Sequence, residues 1–139
     1  MIYLDANIFI YTVTGDSKQS ESCLSIIKKI ITGEVEACTS FLTWDEALYA
    51  LKRELGREKA LEESRKFLEI PYLFFINVDG AIITKAQIMA ELYHLNPRDA
   101  IHAATAILNK CTEIISDDPD FDAVKEIKRL SPAAALKSL

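Results

Sequence analysis

Four acidic side chains stand where a folded chain could gather them. Asp5 directly follows the apolar run Ile2-Tyr3-Leu4. Glu46 lies near the start of a helical segment that follows a short apolar stretch, Val35 to Ser40. Asp99 lies in the opening turn of a segment that begins Asn96-Pro97, and Asp118 comes just after the run Thr112 to Ser116. Several carboxylates in one crevice repel one another and raise at least one pKa. A hard divalent cation removes that cost, and carboxylates that leave room for water suit Mg²⁺ or Mn²⁺ better than zinc. The chemistry on offer is metal-assisted hydrolysis, in which water is activated and developing negative charge is stabilised.

Each acid also has a purely structural use. Thr43-Trp44-Asp45-Glu46 has the pattern of a capping box, in which Glu46 would close the helix start. Asp99 would favour the helix dipole. Asp117, Asp118 and Asp120 surround Pro119 and would suit a turn. Asp5 is the hardest to explain in this way, because it ends an apolar strand.

The elements that would position these acids are legible from patterning. Ile2–Leu4, Val35–Ser40, Leu73–Val78 and Thr112–Ser116 read as strands, with Leu73–Val78 the clearest buried one. A last short strand is expected around Leu130–Pro132. Helices are expected over Asn7–Thr14 and over Ser20–Thr32, the latter stopped by Gly33. Thr43–Leu55 follows, with Trp44, Ala47, Leu48, Leu51 and Leu55 on one stripe and Glu46 roughly opposite. Arg57–Glu69 is helical and strongly charged, a solvated surface. Asp79 caps a helix to about Tyr93, and Asn96-Pro97 opens another to about Lys110. In that last helix Ile101, Ala104, Leu108 and Cys111 form the apolar face, with Asp99 off it. Phe121–Ile127 is a short helix at most, and Ala133–Leu139 a terminal helix. Strands alternating with helices specify an α/β fold, with a mainly parallel sheet covered on both faces. In such sheets ligands bind outside the carboxyl ends of the strands, where all four acids fall.

Composition narrows the function classes. The chain has 139 residues, half of them hydrophobic, with 21 Asp and Glu against 16 Lys and Arg and a net charge of -5. That suits a single domain, 1–139, with a sizeable core. It argues against non-specific coating of nucleic acid, which needs many cationic contacts, but not against an enzyme that meets nucleic acid through metal ions. Cys23, Cys38 and Cys111 form no zinc-ligand spacing and read as buried thiols. There is no P-loop, no dinucleotide fingerprint and no nucleophile-elbow serine. No signal peptide or membrane-length apolar run is evident, so a cytoplasmic location is expected.

Taken in order, the motifs resemble those of PIN-domain ribonucleases. Asp5-Ala6-Asn7 resembles the family's opening D-x-N, and Ser40 to Leu48, with Glu46, resembles its second acidic motif. Arg98-Asp99-Ala100-Ile101-His102-Ala103-Ala104-Thr105-Ala106 resembles the third, and Ile114 to Asp122 the fourth, a strand ending T-x-D-x-D-F. The size resembles the VapC-type toxins of toxin–antitoxin pairs. The resemblance implies a three-layer PIN-like fold and an Mg²⁺- or Mn²⁺-dependent endoribonuclease whose products carry a 5′-phosphate and a 3′-hydroxyl. It implies Asp5, Glu46, Asp99 and Asp118 as metal-site acids, with Asn7 and Ser116 organising them; Ser116 replaces the family's commoner Thr and keeps the hydroxyl. Phe121 follows Asp118 by three residues, which favours Asp118 as the fourth acid, with Asp117 and Asp120 as the other registers. His102 reads as a packed or hydrogen-bonded residue. RNA is the implied substrate, and a homodimer and a small cognate antitoxin are the implied partners.

Two other classes are compatible with parts of the pattern. In a haloacid-dehalogenase-like phosphatase Asp5 would be the nucleophile and Asp117-Asp118 would bind Mg²⁺, but that family's second opening acid is here Asn7, which cannot act as acid or base. A metal-binding interaction module without catalysis would show metal binding but no nuclease activity.

Overall fold

The run Ile2–Leu4 becomes the middle strand of a five-stranded sheet in the computed structural model, which describes residues 1–139. The elements are β1 (Ile2–Leu4), α1 (Ala6–Thr14), α2 (Lys18–Ile31), β2 (Ala37–Ser40), α3 (Leu42–Leu55), α4 (Arg57–Leu68), β3 (Leu73–Ile76), α5 (Gly80–Tyr93), α6 (Pro97–Leu108), β4 (Glu113–Ile115), a 3-10 turn (Pro119–Ala123), β5 (Lys128–Leu130) and α7 (Pro132–Ser138). The strand order is β3-β2-β1-β4-β5, and every pairing is parallel.

Side-chain alternation along β1 divides the core into two. Tyr3 faces one side with Cys38 and Ile114, beneath Ile82 and Met89 of α5 and Ala103 of α6. Ile2 and Leu4 face the other, against Ile8 and Phe9 of α1, Ile26 and Ile30 of α2, Phe67 of α4 and Ala135 of α7. Helix, sheet, helix is the three-layer α/β arrangement expected. None of the helices is long and apolar enough to cross a membrane.

Local signals set most helix ends. Ser17 accepts from the Ser20 N–H at the start of α2, and Asp79 accepts from the Ile82 N–H at the start of α5. Gly33 stops α2 at φ +76°, the left-handed conformation that a glycine tolerates best. Asn96 occupies the N-cap position of α6, but its side chain makes no capping bond; Pro97 sets the start instead.

Four expectations need correction. Leu73–Ile76 is not the most buried strand but a sheet edge, with Phe74 47% exposed, because the apolar run is satisfied on one side only. Helix α3 begins at Leu42, whose N–H is accepted by the Ser40 hydroxyl, so Thr43 lies inside the helix and no capping box forms. Trp44 is 40% exposed, and the buried stripe of α3 is Thr43, Ala47 and Leu51. Helix α6 is buried over a broad arc that includes Ala100, His102, Ala103, Ala104 and Ala106, whereas Leu108 is exposed, because α6 lies between the sheet and α5. Short elements also shift: the final strand is Lys128–Leu130, and the segment after Asp118 is a 3-10 turn.

The strand order places a crevice at the site. From β1 the chain crosses to β2 and β3 on one side, and then returns through α5 and α6 to β4 on the other. After β1 it enters α1 in one helical layer, and after β4 it enters the turn that packs Phe121 into the other core. The two carboxyl ends therefore diverge, which is the switch-point geometry that binds ligands in parallel sheets.

Candidate metal centre

Asp5 is the first residue beyond β1, and its N–H still bonds the Ile115 carbonyl of β4 at 3.1 Å. It is 6% exposed. Its Oδ1 accepts from the Ala6 N–H at 2.7 Å, so it also caps α1. Its Oδ2 accepts from Asn7 Nδ2 at 3.0 Å and from the Ser116 hydroxyl at 2.5 Å. Ser116 is the hub between the two strand ends: its Oγ also accepts from Asn7 Nδ2 at 3.2 Å and from the Asp118 N–H at 3.0 Å. Asn7 Oδ1 in turn accepts from the Asp117 N–H at 3.3 Å. Both residues expected to organise the acids thus hold Asp5 and the Asp117-Asp118 backbone together. Asn7 is oriented as a donor to a carboxylate, which fits the organising role and not an acid–base one.

Glu46 projects from the second turn of α3, and its Oε2 lies 2.8 Å from Nε2 of the fully buried His102. That nitrogen is 3.8 Å from Asp5 Oδ1. Asp99 and His102 stand one turn apart on α6, spaced three residues, so they share a face. Asp118 caps the 3-10 turn by accepting from the Asp120 N–H at 2.9 Å. Potential ligand atoms of Asp5, Glu46 and His102 lie within 4.8 Å of one another, as do those of Asp99, Asp118 and Asp120.

Electrostatics joins the two groups. Burial, followed by the charges of Asp118 and Asp5, pushes the Asp99 carboxyl up to about 7, and Glu46 adds to the push. Burial also raises Asp5, although His102 and the Ser116 hydroxyl pull it back. Burial alone would lower His102, but the Glu46 hydrogen bond and the Asp5 charge outweigh it and hold the imidazole above its ordinary value. No Lys or Arg pairs with any of the four acids: Arg98 bonds Asp45 at 3.1 Å, and Arg129 grips Asp122 with two bonds of 2.8 and 3.1 Å. Mutually repelling oxygen donors that lack a Lys or Arg partner fit a hard divalent cation. The four acids would hold it, and His102 would stand behind Glu46.

Of the three candidate registers for the fourth acid, Asp118 and Asp120 group with Asp99 and Asp117 does not. Asp117 turns away, accepting from the Tyr11 hydroxyl at 3.2 Å and lining an open cleft of about 630 Å³ between α2 and α7. Asp118 faces Asp99, with exposed Asp120 beside it.

Sequence reasoning missed two residues here. Tyr3 reads as core in an apolar strand, yet its hydroxyl reaches His102 Nδ1 at 2.7 Å. Arg129 lies just before the expected last strand and is not singled out by the sequence, yet its Nη1 donates to the Ser116 carbonyl at 3.0 Å and secures the end of β4. Spacing carries no signal for either contact.

Thr43 has a different structural job from the expected cap. It pairs with the Thr39 hydroxyl at 2.7 Å, and Thr39 donates to the Leu4 carbonyl at 2.8 Å, all in the buried core. Thr43→Ala should cost about 1–2 kcal/mol of stability through the lost buried hydrogen bond, with the acids left in place. Thermal melts and cleavage rates check this; a stable but inactive variant would contradict it.

The description PIN domain belongs to the family that matches residues 2–127. No curated protein is significantly similar in sequence. Solved structures are similar in fold. A toxin–antitoxin complex from Klebsiella pneumoniae superposes with a TM-score of 0.70 at 21% identity, covering 95% of this chain and 98% of the other. VapC20 of Mycobacterium tuberculosis, a sarcin–ricin-loop-cleaving toxin, gives 0.73 at 15% identity, with 90% and 95% covered. FitAcB from Neisseria gonorrhoeae gives 0.74 at 17% identity, with 96% and 99% covered.

Proposed function

The chain belongs to the PIN-domain family, and from that premise we propose that it is a divalent-metal-dependent endoribonuclease, the toxin of a toxin–antitoxin pair. The observation that carries the reading is the set of four carboxylates, Asp5, Glu46, Asp99 and Asp118, gathered at the carboxyl ends of β1 and β4 without a Lys or Arg partner. The similar structures named as toxins or toxin–antitoxin complexes add support. A bound Mg²⁺ or Mn²⁺ supplies a lowered water pKa and stabilises charge on the scissile phosphate.

The chain's own residues do the rest. Asp5, Glu46, Asp99 and Asp118 would hold the cation. Ser116 and Asn7 fix the Asp5 carboxylate through Oδ2, and the Ala6 N–H fixes Oδ1, so neither oxygen is free to swing. The Asp118 N–H bonded to Ser116 fixes the chain after β4, and the Ser116 hydroxyl bonded to Asp5 ties the ends of β1 and β4 together. Because the site is anionic, a bound cation would offset the repulsion between these acids and the RNA phosphates.

The functional unit is proposed as one domain that acts in the cytoplasm as a homodimer and is inhibited by a small cognate antitoxin. Ile83, Ile88 and Leu92 lie exposed along α5, which supports a second copy there. Light scattering should return twice the mass of 15.6 kDa; a monomer at every accessible concentration contradicts the dimer.

Incubation of defined RNAs with Mn²⁺ and the protein tests the activity. Internal cleavage leaving 5′-phosphate and 3′-hydroxyl ends is expected. Trapping of an aspartyl-phosphate on Asp5 instead would overturn the reading in favour of a phosphatase, and metal binding with no cleavage of any RNA would favour an interaction module.

A further inference from the structure

One hydrogen-bonded chain crosses the molecule beneath the acids. The Ser40 N–H, at the end of β2, donates to the Tyr3 phenol oxygen at 3.0 Å. That hydroxyl lies 2.7 Å from His102 Nδ1, and His102 Nε2 lies 2.8 Å from Glu46 Oε2. Tyr3 and His102 are both fully buried, and their rings meet edge to face with centroids 5.8 Å apart. Four elements, β2, β1, α6 and α3, are thereby tied to one carboxylate oxygen.

The proton positions follow from donor and acceptor accounting. The Glu46 carboxylate can only accept, so the proton between it and His102 lies on Nε2, whether Nδ1 accepts from the Tyr3 hydroxyl or donates to it. With Nδ1 accepting, the neutral imidazole carries its proton on Nε2, aimed at Glu46. The doubly protonated ring, in which Nδ1 donates to the Tyr3 oxygen, also carries a proton on Nε2. The form that Glu46 disfavours is the Nδ1–H neutral tautomer, which would turn a lone pair towards a carboxylate.

We infer that His102 is a positioning residue: held by Tyr3, it donates from Nε2 to Glu46 Oε2 and leaves Oε1 as the oxygen that Glu46 offers to the cation. This rests on the proposed metal-dependent reading of the site. His102 does not itself ligate, because the nitrogen nearest the acids is the protonated one. Partners that stand behind metal ligands orient them, and their loss typically weakens metal binding or activity.

The test measures Mn²⁺ affinity of the RNA-free protein by electron paramagnetic resonance, alongside cleavage kinetics. His102→Leu should weaken Mn²⁺ by about 10–100-fold and lower kcat, with KM for RNA little changed. His102→Gln, whose amide N–H reaches in the direction of Nε2, should recover most of the affinity. Tyr3→Phe keeps the ring and should weaken Mn²⁺ by about tenfold. ¹⁵N NMR of the metal-free parent at alkaline pH should show a protonated Nε2 and a bare Nδ1, and this signal decides the matter even if His102→Leu fails to fold. A neutral Nδ1–H tautomer, a folded His102→Leu with parental Mn²⁺ affinity, or a His102→Gln no better than His102→Leu would overturn the inference. Parental affinity in Tyr3→Phe would remove Tyr3 from it. A parent that binds Mn²⁺ and shows the expected NMR signature but cleaves no RNA would contradict the proposed nuclease activity and leave the positioning role standing.

Discussion

Asp99→Asn is expected to abolish RNA cleavage while making the metal-free protein more stable above neutral pH. The side chain stands in the first turn of α6, facing Asp118. Its carboxyl is raised from 3.8 to about 7 by burial and then by the charges of Asp118 and Asp5. The folded state therefore holds the proton more tightly than the unfolded chain does. Stability falls as pH rises from about 4 through about 7 and then levels off. Asn carries no such titration, so its advantage appears above pH 7 and vanishes below about 4. The carboxyl is only about half buried, so solvent screening reduces the effect to about 1–2 kcal/mol. Activity moves the opposite way. Losing a ligand should cost more than the roughly 10–100-fold that loss of a supporting partner costs. Denaturant unfolding in EDTA at acidic and alkaline pH, beside cleavage rates with saturating Mn²⁺, reads both effects. Parental cleavage by Asp99→Asn would remove Asp99 from the site.

Glu46→Gln should lower cleavage by at least about 100-fold, on the scale of losing a charged group that acts at the reaction centre, with little change in melting temperature. Gln keeps the length of the side chain, and its carbonyl can still accept from His102 Nε2. The amide is a poor ligand for a hard cation and carries no charge. A structural role would predict the reverse, since Gln also serves in a capping box. The structure leaves Glu46 no cap to make: α3 starts at Leu42 on the Ser40 hydroxyl, and Glu46 turns to His102. Full activity in Glu46→Gln would mean that the carboxylate does not bind metal.

Asp5 and Asp118 stood out as candidates because each comes at the end of an apolar run. Asp5 follows three core residues, and Asp118 follows β4 through Ser116, so both mark a strand's carboxyl end. The parallel α/β class was legible from alternation alone. The edge position of β3 was not, since Leu73-Phe74-Phe75-Ile76 has the pattern of a buried strand and only the strand order exposes Phe74. The start of α3 was misread because Thr43 fits a cap pattern, while the Ser40 hydroxyl is already in place to hold the Leu42 N–H. The contacts behind the acids were invisible for a different reason. Tyr3 and His102 are 99 residues apart, and neither a phenol in a strand nor an imidazole on an alanine-rich helix announces its partner.

The central claim, a nuclease whose acids work by holding a divalent cation, is met most directly by cleavage of one defined RNA before and after thorough chelation. Untreated protein with Mg²⁺ or Mn²⁺ should cut the RNA internally. EDTA should abolish cutting, and Mn²⁺ returned in excess over the chelator should restore it in the parent but not in Asp99→Asn. Cleavage that continues undiminished after chelation would contradict the account.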